Sequence, residues 1–152
     1  MTTTLTTLSP MERVLFLRQV ALFADLPPAD LMPVAEIARE RSFLDGETIA
    51  EQDEPGAEMH IIVSGEVSVV VRDGDGTRAV AVRSAGDVVG EMAVITDRPR
   101  VASLLARGDV RVLSIERPRF EAILRERPET AIGVIRVLCQ RLAERNASVD
   151  AG

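Results

Sequence analysis

The sequence predicts a mainly β chain, an antiparallel β-roll or jelly roll (a double-stranded β-helix) with helices before it and two helices after it. Three observations predict this. Apolar residues in the middle of the chain come in short runs separated by Gly-rich turns, giving seven or eight strands at spacings of about ten residues. Before Arg41 the apolar residues instead recur at helical spacing. After Pro118 the helical spacing returns.

Residues 1–9 are Thr-rich and aperiodic, and read as a flexible tail. Ser9-Pro10 has the form of a helix start, an N-cap followed by a proline at the first helical position. Val14, Leu15, Leu17, Val20, Ala21 and Leu22 continue it until Pro27-Pro28 stops it. A second short helix fits Ala29 to Ala38, with Leu31, Val34, Ile37 and Ala38 inward. Asp45-Gly46 and Glu54-Pro55-Gly56 are turns. Ser64-Gly65 is expected to join a strand over Met59–Val63 to one over Glu66–Arg72, and Asp73-Gly74-Asp75-Gly76 leads into Thr77–Arg83. Val88-Val89 is a short strand. Gly108-Asp109 is expected to be a tight hairpin between Val101–Arg107 and Val110–Ile115. Pro118 begins a helix with Phe120, Ile123 and Leu124 inward. Pro128 begins another, whose stripe of Ile132, Ile135, Cys139 and Leu142 is expected on the barrel or on a partner. One domain over 10–146 and a second tail over 147–152 complete the division.

Composition excludes several function classes. The chain of 152 residues is 46% hydrophobic and 28% charged, which is globular. No apolar run approaches the roughly 20 residues of a membrane span, and the first residues carry no basic signal region, so the expected location is cytoplasmic. A formal net charge of −6 and a pI near 4.9 argue against nucleic acid as a partner. One cysteine and one histidine leave no Cys-rich or multi-His metal centre. All 18 basic residues are arginine, which excludes lysine chemistry.

One segment breaks the strand rhythm. A strand ends at Gly90, and a helical turn, Glu91 to Ile95, can start directly after it. Gly allows a ligand to approach the backbone, and a helix start offers unpaired N–H groups to an anion. Arg100 lies across a short loop, and its planar fork matches phosphate oxygens. Glu91 can accept from a sugar hydroxyl. The chemistry suggested is a small phosphate ester with a ribose-like hydroxyl.

Gly90-Glu91-Met92-Ala93-Val94-Ile95, followed by Arg98-Pro99-Arg100-Val101-Ala102, resembles the phosphate-binding cassette of cyclic nucleotide-binding domains. Leu22-Phe23-Ala24-Asp25-Leu26 is similar to that family's N-terminal helical segment. Gly46-Glu47-Thr48-Ile49 and Gly56 to Val69 are similar to its first strands, so the resemblance covers roughly residues 12–145. It implies that the backbone at Gly90, Met92 and Ala93 helps hold the cyclic phosphate and ribose. Glu91 takes the ribose 2′-hydroxyl, Arg100 pairs with the phosphate, and the amide of Val101 or Ala102 completes the cradle. Val80, Val82 and Val89 are the expected apolar neighbours of the base, and Arg141 is a lid residue from the last helix.

There are two departures from the pattern. Val89 replaces the usual aromatic residue before the glycine. Val101 stands where a hydroxyl residue could bond a guanine amino group, which tilts the expected ligand towards cAMP, with cGMP as the alternative. The resemblance implies a regulatory module that performs no catalysis, needs no cofactor and passes its ligand state through the C-terminal helices to a fused or docked effector. The alternative is a degenerate domain that keeps the fold as a ligand-free interaction module. A metal-dependent cupin enzyme would need several histidines. A catabolite-activator-type regulator would need a helix-turn-helix beyond Gly152, which is expected to be absent. Asp73-Gly74-Asp75-Gly76 lacks the later ligands of a Ca²⁺ loop and reads as a hairpin turn. His60 reads as a packed strand residue, and Cys139 as a small apolar one.

Overall fold

The computed structural model describes residues 7–151. Ser9 opens α1, Pro10–Leu17, by a reciprocal cap: its hydroxyl accepts the Glu12 N–H, and the Glu12 carboxylate accepts the Ser9 N–H. These bonds hold the Glu12 carboxyl below its ordinary value. Residues 1–6 of the expected tail lie outside the described residues. Its last part is held, because the Leu8 N–H donates to the Glu40 carboxylate and Leu8 packs against the core.

The first helix is shorter than its periodicity suggests. It ends at Leu17, and Ala21–Phe23 forms a separate 3-10 turn. Val20 between them is extended (φ −81°, ψ 125°), a break that lets Leu17, Val20, Leu22 and Phe23 all become fully buried. α2 spans Pro28–Ile37.

Six strands form one antiparallel sheet: β1 Arg39–Phe43, β2 Thr48–Ala50, β3 Glu58–Asp73, β4 Gly76–Arg83, β5 Val88–Val89 and β6 Ser103–Glu116. The order is β1-β6-β3-β4, with β2 on β6 and β5 on β3. Two expected turns are absent. β3 runs through Ser64-Gly65 and β6 runs through Gly108-Asp109, so four expected strands are two long ones. The glycines still bend the chain. Pairing passes from Ser64↔Arg111 to Glu66↔Arg107, leaving residues 108–110 of β6 opposite Gly65 alone. Gly65 has φ +88°, and a Cβ there would lie 2.3 Å from the Asp109 carbonyl oxygen, so the bent strands touch where only glycine fits.

These strands separate two cores. In the first half of β3, Met59, His60, Ile61 and Ile62 are all buried. Met59 and Ile61 face the helices, where they join Phe23, Leu31, Val34, Leu113, Ile115 and Phe120. Ile62 faces the interior of the roll, with Val67, Val89, Leu104, Val110 and Val112. Strand alternation puts His60 on the same inner face as Ile62.

α4 spans Arg117–Glu126 and α5 spans Pro128–Ala151. Phe120 and Ile123 are buried as expected, and the Phe120 ring meets Phe23 edge-on at 6.4 Å between centroids. The expected inner stripe of α5 does not face the roll. Ile132, Ile135 and Leu142 are 48%, 55% and 58% exposed, and Cys139 is exposed too. Thr130, Gly133, Val134 and Val137 are the residues turned inward. Gly133 explains the choice of face: a Cβ there would lie 2.6 Å from Leu26 Cδ2, so the smallest residue marks where the helix comes closest to the body. α5 also continues through residues 147–151, which hold no Gly or Pro to stop it. No helix among the described residues is long and apolar enough to cross a membrane.

Candidate ligand-binding site

The break in strand rhythm after Val89 is a built feature. β5 pairs with β3 only through His60↔Val89 and Ile61↔Val88. Gly90 then turns the chain with φ +81°, and α3, Glu91–Thr96, begins at the next residue. Asp97, also at positive φ (57°), turns the chain out of α3. Met92 and Ala93 lie in the first turn of α3, and their side chains are outside the described set.

Arg100 returns across this turn and is fixed from both ends. Its backbone N–H donates to the Glu54 carbonyl at 2.9 Å, and its carbonyl accepts the Asp53 N–H at 2.8 Å. Its Nη2 donates to the Glu58 carbonyl at 2.6 Å. The residue is 8% exposed, and no carboxylate lies within ion-pair distance of it among the described residues. Burial pushes the guanidinium below its ordinary value, while the more distant Glu58 and Glu54 charges hold it up. A buried cation that keeps its charge without a salt-bridge partner is costly unless an anion completes it.

His60, two residues along β3 from Glu58, is 1% exposed, and its Nδ1 is joined to Ser114 Oγ by a 2.8 Å hydrogen bond. Burial, then the Arg100 and Arg41 charges, push its imidazole down to about 3. The imidazole is therefore neutral in the folded chain at neutral pH.

A cavity of about 320 Å³ opens in front of Arg100, within the range of small-molecule sites. Of the residues expected from sequence, Val89, Gly90, Glu91, Arg100, Val101 and Ala102 line it. Glu91 is held by Arg141, whose Nη1 is 3.5 Å from Glu91 Oε1. Arg141 lines a second, adjoining hollow of about 750 Å³, which shares Arg83, Val88, Glu91 and Thr96 with the first.

Val80 and Val82 do not reach either hollow; they are 48% and 41% exposed. The register explains why. Val69 pairs with Ala81 and Val70 with Ala79, so Val80 is the extra residue of a bulge. Val82 pairs with Ser68, whereas Arg83 pairs with the fully buried Val67. The face turned inward is therefore that of Ala81 and Arg83. Sequence reading missed Arg83, and with it Val69 and Leu104, which form the apolar floor. Alternation along β4 carried no signal for the inward face, because valines and small residues alternate without a polar counterpart. No cluster of metal-ligating side chains is present among the described residues.

Comparison with known proteins places the chain in a family. Residues 40–127 match the family model of the cyclic nucleotide-binding domain. The chain is 35% identical over 109 residues to a cAMP-dependent protein kinase regulatory subunit of Colletotrichum orbiculare, covering 72% of this chain and 27% of that protein. It thus spans about a quarter of that relative's length. The regulatory domain of Toxoplasma gondii protein kinase A, solved with cAMP, superposes with a TM-score of 0.77 at 26% identity, over 89% of this chain and 50% of that one. The regulatory subunit of a cAMP-independent protein kinase A from Trypanosoma cruzi, solved with guanosine, gives 0.71 at 28% identity, over 76% and 41%. The chain belongs to the cyclic nucleotide-binding domain family.

Proposed function

We propose that this chain is a regulatory module that binds a 3′,5′-cyclic purine nucleotide, cAMP or cGMP, and performs no chemistry on it. The observation that carries the reading is Arg100, a buried arginine that lines a cavity and has no carboxylate partner among the described residues. A cyclic phosphate keeps one negative charge at neutral pH and would complete this cation with a charge-assisted, forked pair. Glu91, which lines the same cavity, would accept from the ribose 2′-hydroxyl. Val69, Val89 and Leu104 would pack against the purine. Relatives solved with cAMP and with guanosine support a purine ligand of either kind. The sequence favours cAMP, through Val101.

Glu91 also links ligand to output. Its partner Arg141 is on α5, so a ligand that engages Glu91 changes the balance of contacts that hold α5 to the site. Nucleotide would favour whichever α5 position goes with better binding, and an effector, fused or docked, would read that position. A cytoplasmic location goes with this role.

Stability measurement on protein stripped of nucleotide by unfolding and refolding tests the reading. At a concentration 100 times Kd, the cognate nucleotide should stabilise the fold by about 2.7 kcal/mol. An unchanged Tm at millimolar cAMP and cGMP would leave the ligand-free interaction module as the better description.

A further inference from the structure

We infer that Arg41 is a positioning residue for nucleotide binding: it holds the Glu58 carboxylate away from Arg100 and so keeps the Arg100 fork open for the cyclic phosphate. The inference rests on the cyclic nucleotide reading above, and it assigns an effect on affinity to two residues, Arg41 and Glu58, that do not line the cavity. It starts from the faces of three strands. Ile62 faces the interior of the roll, and strand alternation puts Glu58 and His60 on that face with it. Arg41 and Ile62 both stand opposite Val112, another residue of the interior, so Arg41 shares the face.

Glu58 then meets two arginines in two different ways. Its backbone carbonyl accepts from Arg100 Nη2 at 2.6 Å, while its carboxylate oxygens lie 3.3 and 3.4 Å from Arg41 Nη1. Arg41 is itself held in place, because its guanidinium stands over the Phe43 ring at 5.1 Å from the centroid. Burial lowers the Arg100 guanidinium, and the Glu58 charge is the first to hold it up, so the carboxylate is near. Among the described residues, however, no ion pair joins Glu58 to Arg100. Glu54 also acts on Arg100, but it is exposed, where water and salt screen it.

A carboxylate and a cyclic phosphate make the same claim on a guanidinium. Each is a monoanion whose paired oxygens match the arginine fork, and one fork cannot hold both. The Glu58 carbonyl already touches Arg100, so a released carboxylate needs only rotation of its own side chain to approach the guanidinium. Burial of Arg100 would make that pairing favourable in the absence of ligand, since an unpaired buried cation is costly. Arg41 prevents it by giving the carboxylate another partner. The Arg41–Glu58 pair is partly exposed and adds little to stability by itself. Its effect is on the neighbouring arginine.

Titration calorimetry of cAMP and cGMP with nucleotide-stripped wild type, Arg41→Leu, Glu58→Gln and the double variant is the test. Arg41→Leu keeps an apolar body against Phe43, and Arg41→Met takes its place if a melting curve shows that it does not fold. Arg41→Leu frees the Glu58 carboxylate and should weaken binding about tenfold or more. The factor should be the same for the tighter-binding nucleotide and the weaker, because the competition is for the phosphate they share. Glu58→Gln keeps the carbonyl that holds Arg100 but removes the competing anion, and should tighten binding about twofold or more. Adding Glu58→Gln to Arg41→Leu should restore affinity to within about threefold of wild type. Unchanged affinity in Arg41→Leu would overturn the inference. So would a double variant as weak as Arg41→Leu alone, which would mean that Arg41 acts through its own charge or through the fold. Failure of wild type to bind either nucleotide would overturn the cyclic nucleotide reading itself, and this inference with it.

Discussion

Arg100 occupies the space that a side chain at Gly90 would fill: a Cβ on Gly90 would lie 2.5 Å from Arg100 Nη1 and 3.3 Å from the Glu58 carbonyl oxygen that the guanidinium bonds. The glycine of the turn and the cation of the cavity are thus one unit. Gly90 also has φ +81°, which L side chains avoid. Gly90→Ala should displace the guanidinium and weaken nucleotide binding at least about tenfold, while strain at this one position costs about 1–2 kcal/mol of stability. Paired binding and melting curves check both figures. Full affinity in the variant would mean that Arg100 is not held by the glycine.

The Glu91–Arg141 pair, partly exposed on both sides, should contribute at most about 1 kcal/mol to stability. Its importance lies in connection. Arg141→Ala should leave nucleotide affinity within about fivefold of wild type. It should, however, abolish the ligand-dependent change in amide exchange along α5. Exchange measured with and without nucleotide checks this. A ligand effect on α5 as large as in wild type would move the output to another route.

His60 predicts a pH dependence. Its folded value is pushed down to about 3 from an ordinary 6.5, so the unfolded chain binds the extra proton between these limits. Stability from this residue is fully present above pH 6.5 and is lost as pH falls towards about 3. The slope approaches about 1.4 kcal/mol per pH unit for one proton. His60→Gln should flatten that limb of the stability curve by about one proton's worth. An unchanged slope in the variant would show that the imidazole is protonated in the folded state.

The two faces of α5 predict opposite responses. Val134 is buried, and Val134→Ala should cost about 1.5–3 kcal/mol. Ile135 is 55% exposed, and Ile135→Ala should change the stability of a dilute sample by no more than about 0.5 kcal/mol. Chemical denaturation at low protein concentration distinguishes them. Equal losses would return the stripe of Ile132, Ile135, Cys139 and Leu142 to the body of the domain.

Much of the fold is legible because local signals agree with it. The Ser9 cap, the prolines opening α2, α4 and α5, and the turn at Gly90 are each fixed by neighbours in sequence. What failed were decisions made by distant partners. Gly65 and Gly108 punctuate the chain as turns do, yet they bend two long strands against each other, and only their pairing shows that the strands continue. On α5, apolar residues lie on more than one face, and the small residue Gly133, not the largest side chains, identifies the inner one. In the site, Gly90, Glu91 and Arg100 come from one short segment and were readable together. Arg83 was not, because a bulge at Val80 changes which face of β4 turns inward.

Calorimetric titration of nucleotide-stripped wild type and Arg100→Ala with cAMP and cGMP tests the central claim most directly. A buried arginine whose fork awaits a phosphate predicts saturable binding to the wild type. It also predicts a loss of at least about 30-fold, or about 2 kcal/mol, in Arg100→Ala. Without ligand, the variant's melting curve should stay close to that of the wild type. No binding by the wild type at millimolar nucleotide, or an Arg100→Ala protein that unfolds easily yet keeps its affinity, would contradict the account and make Arg100 a structural residue.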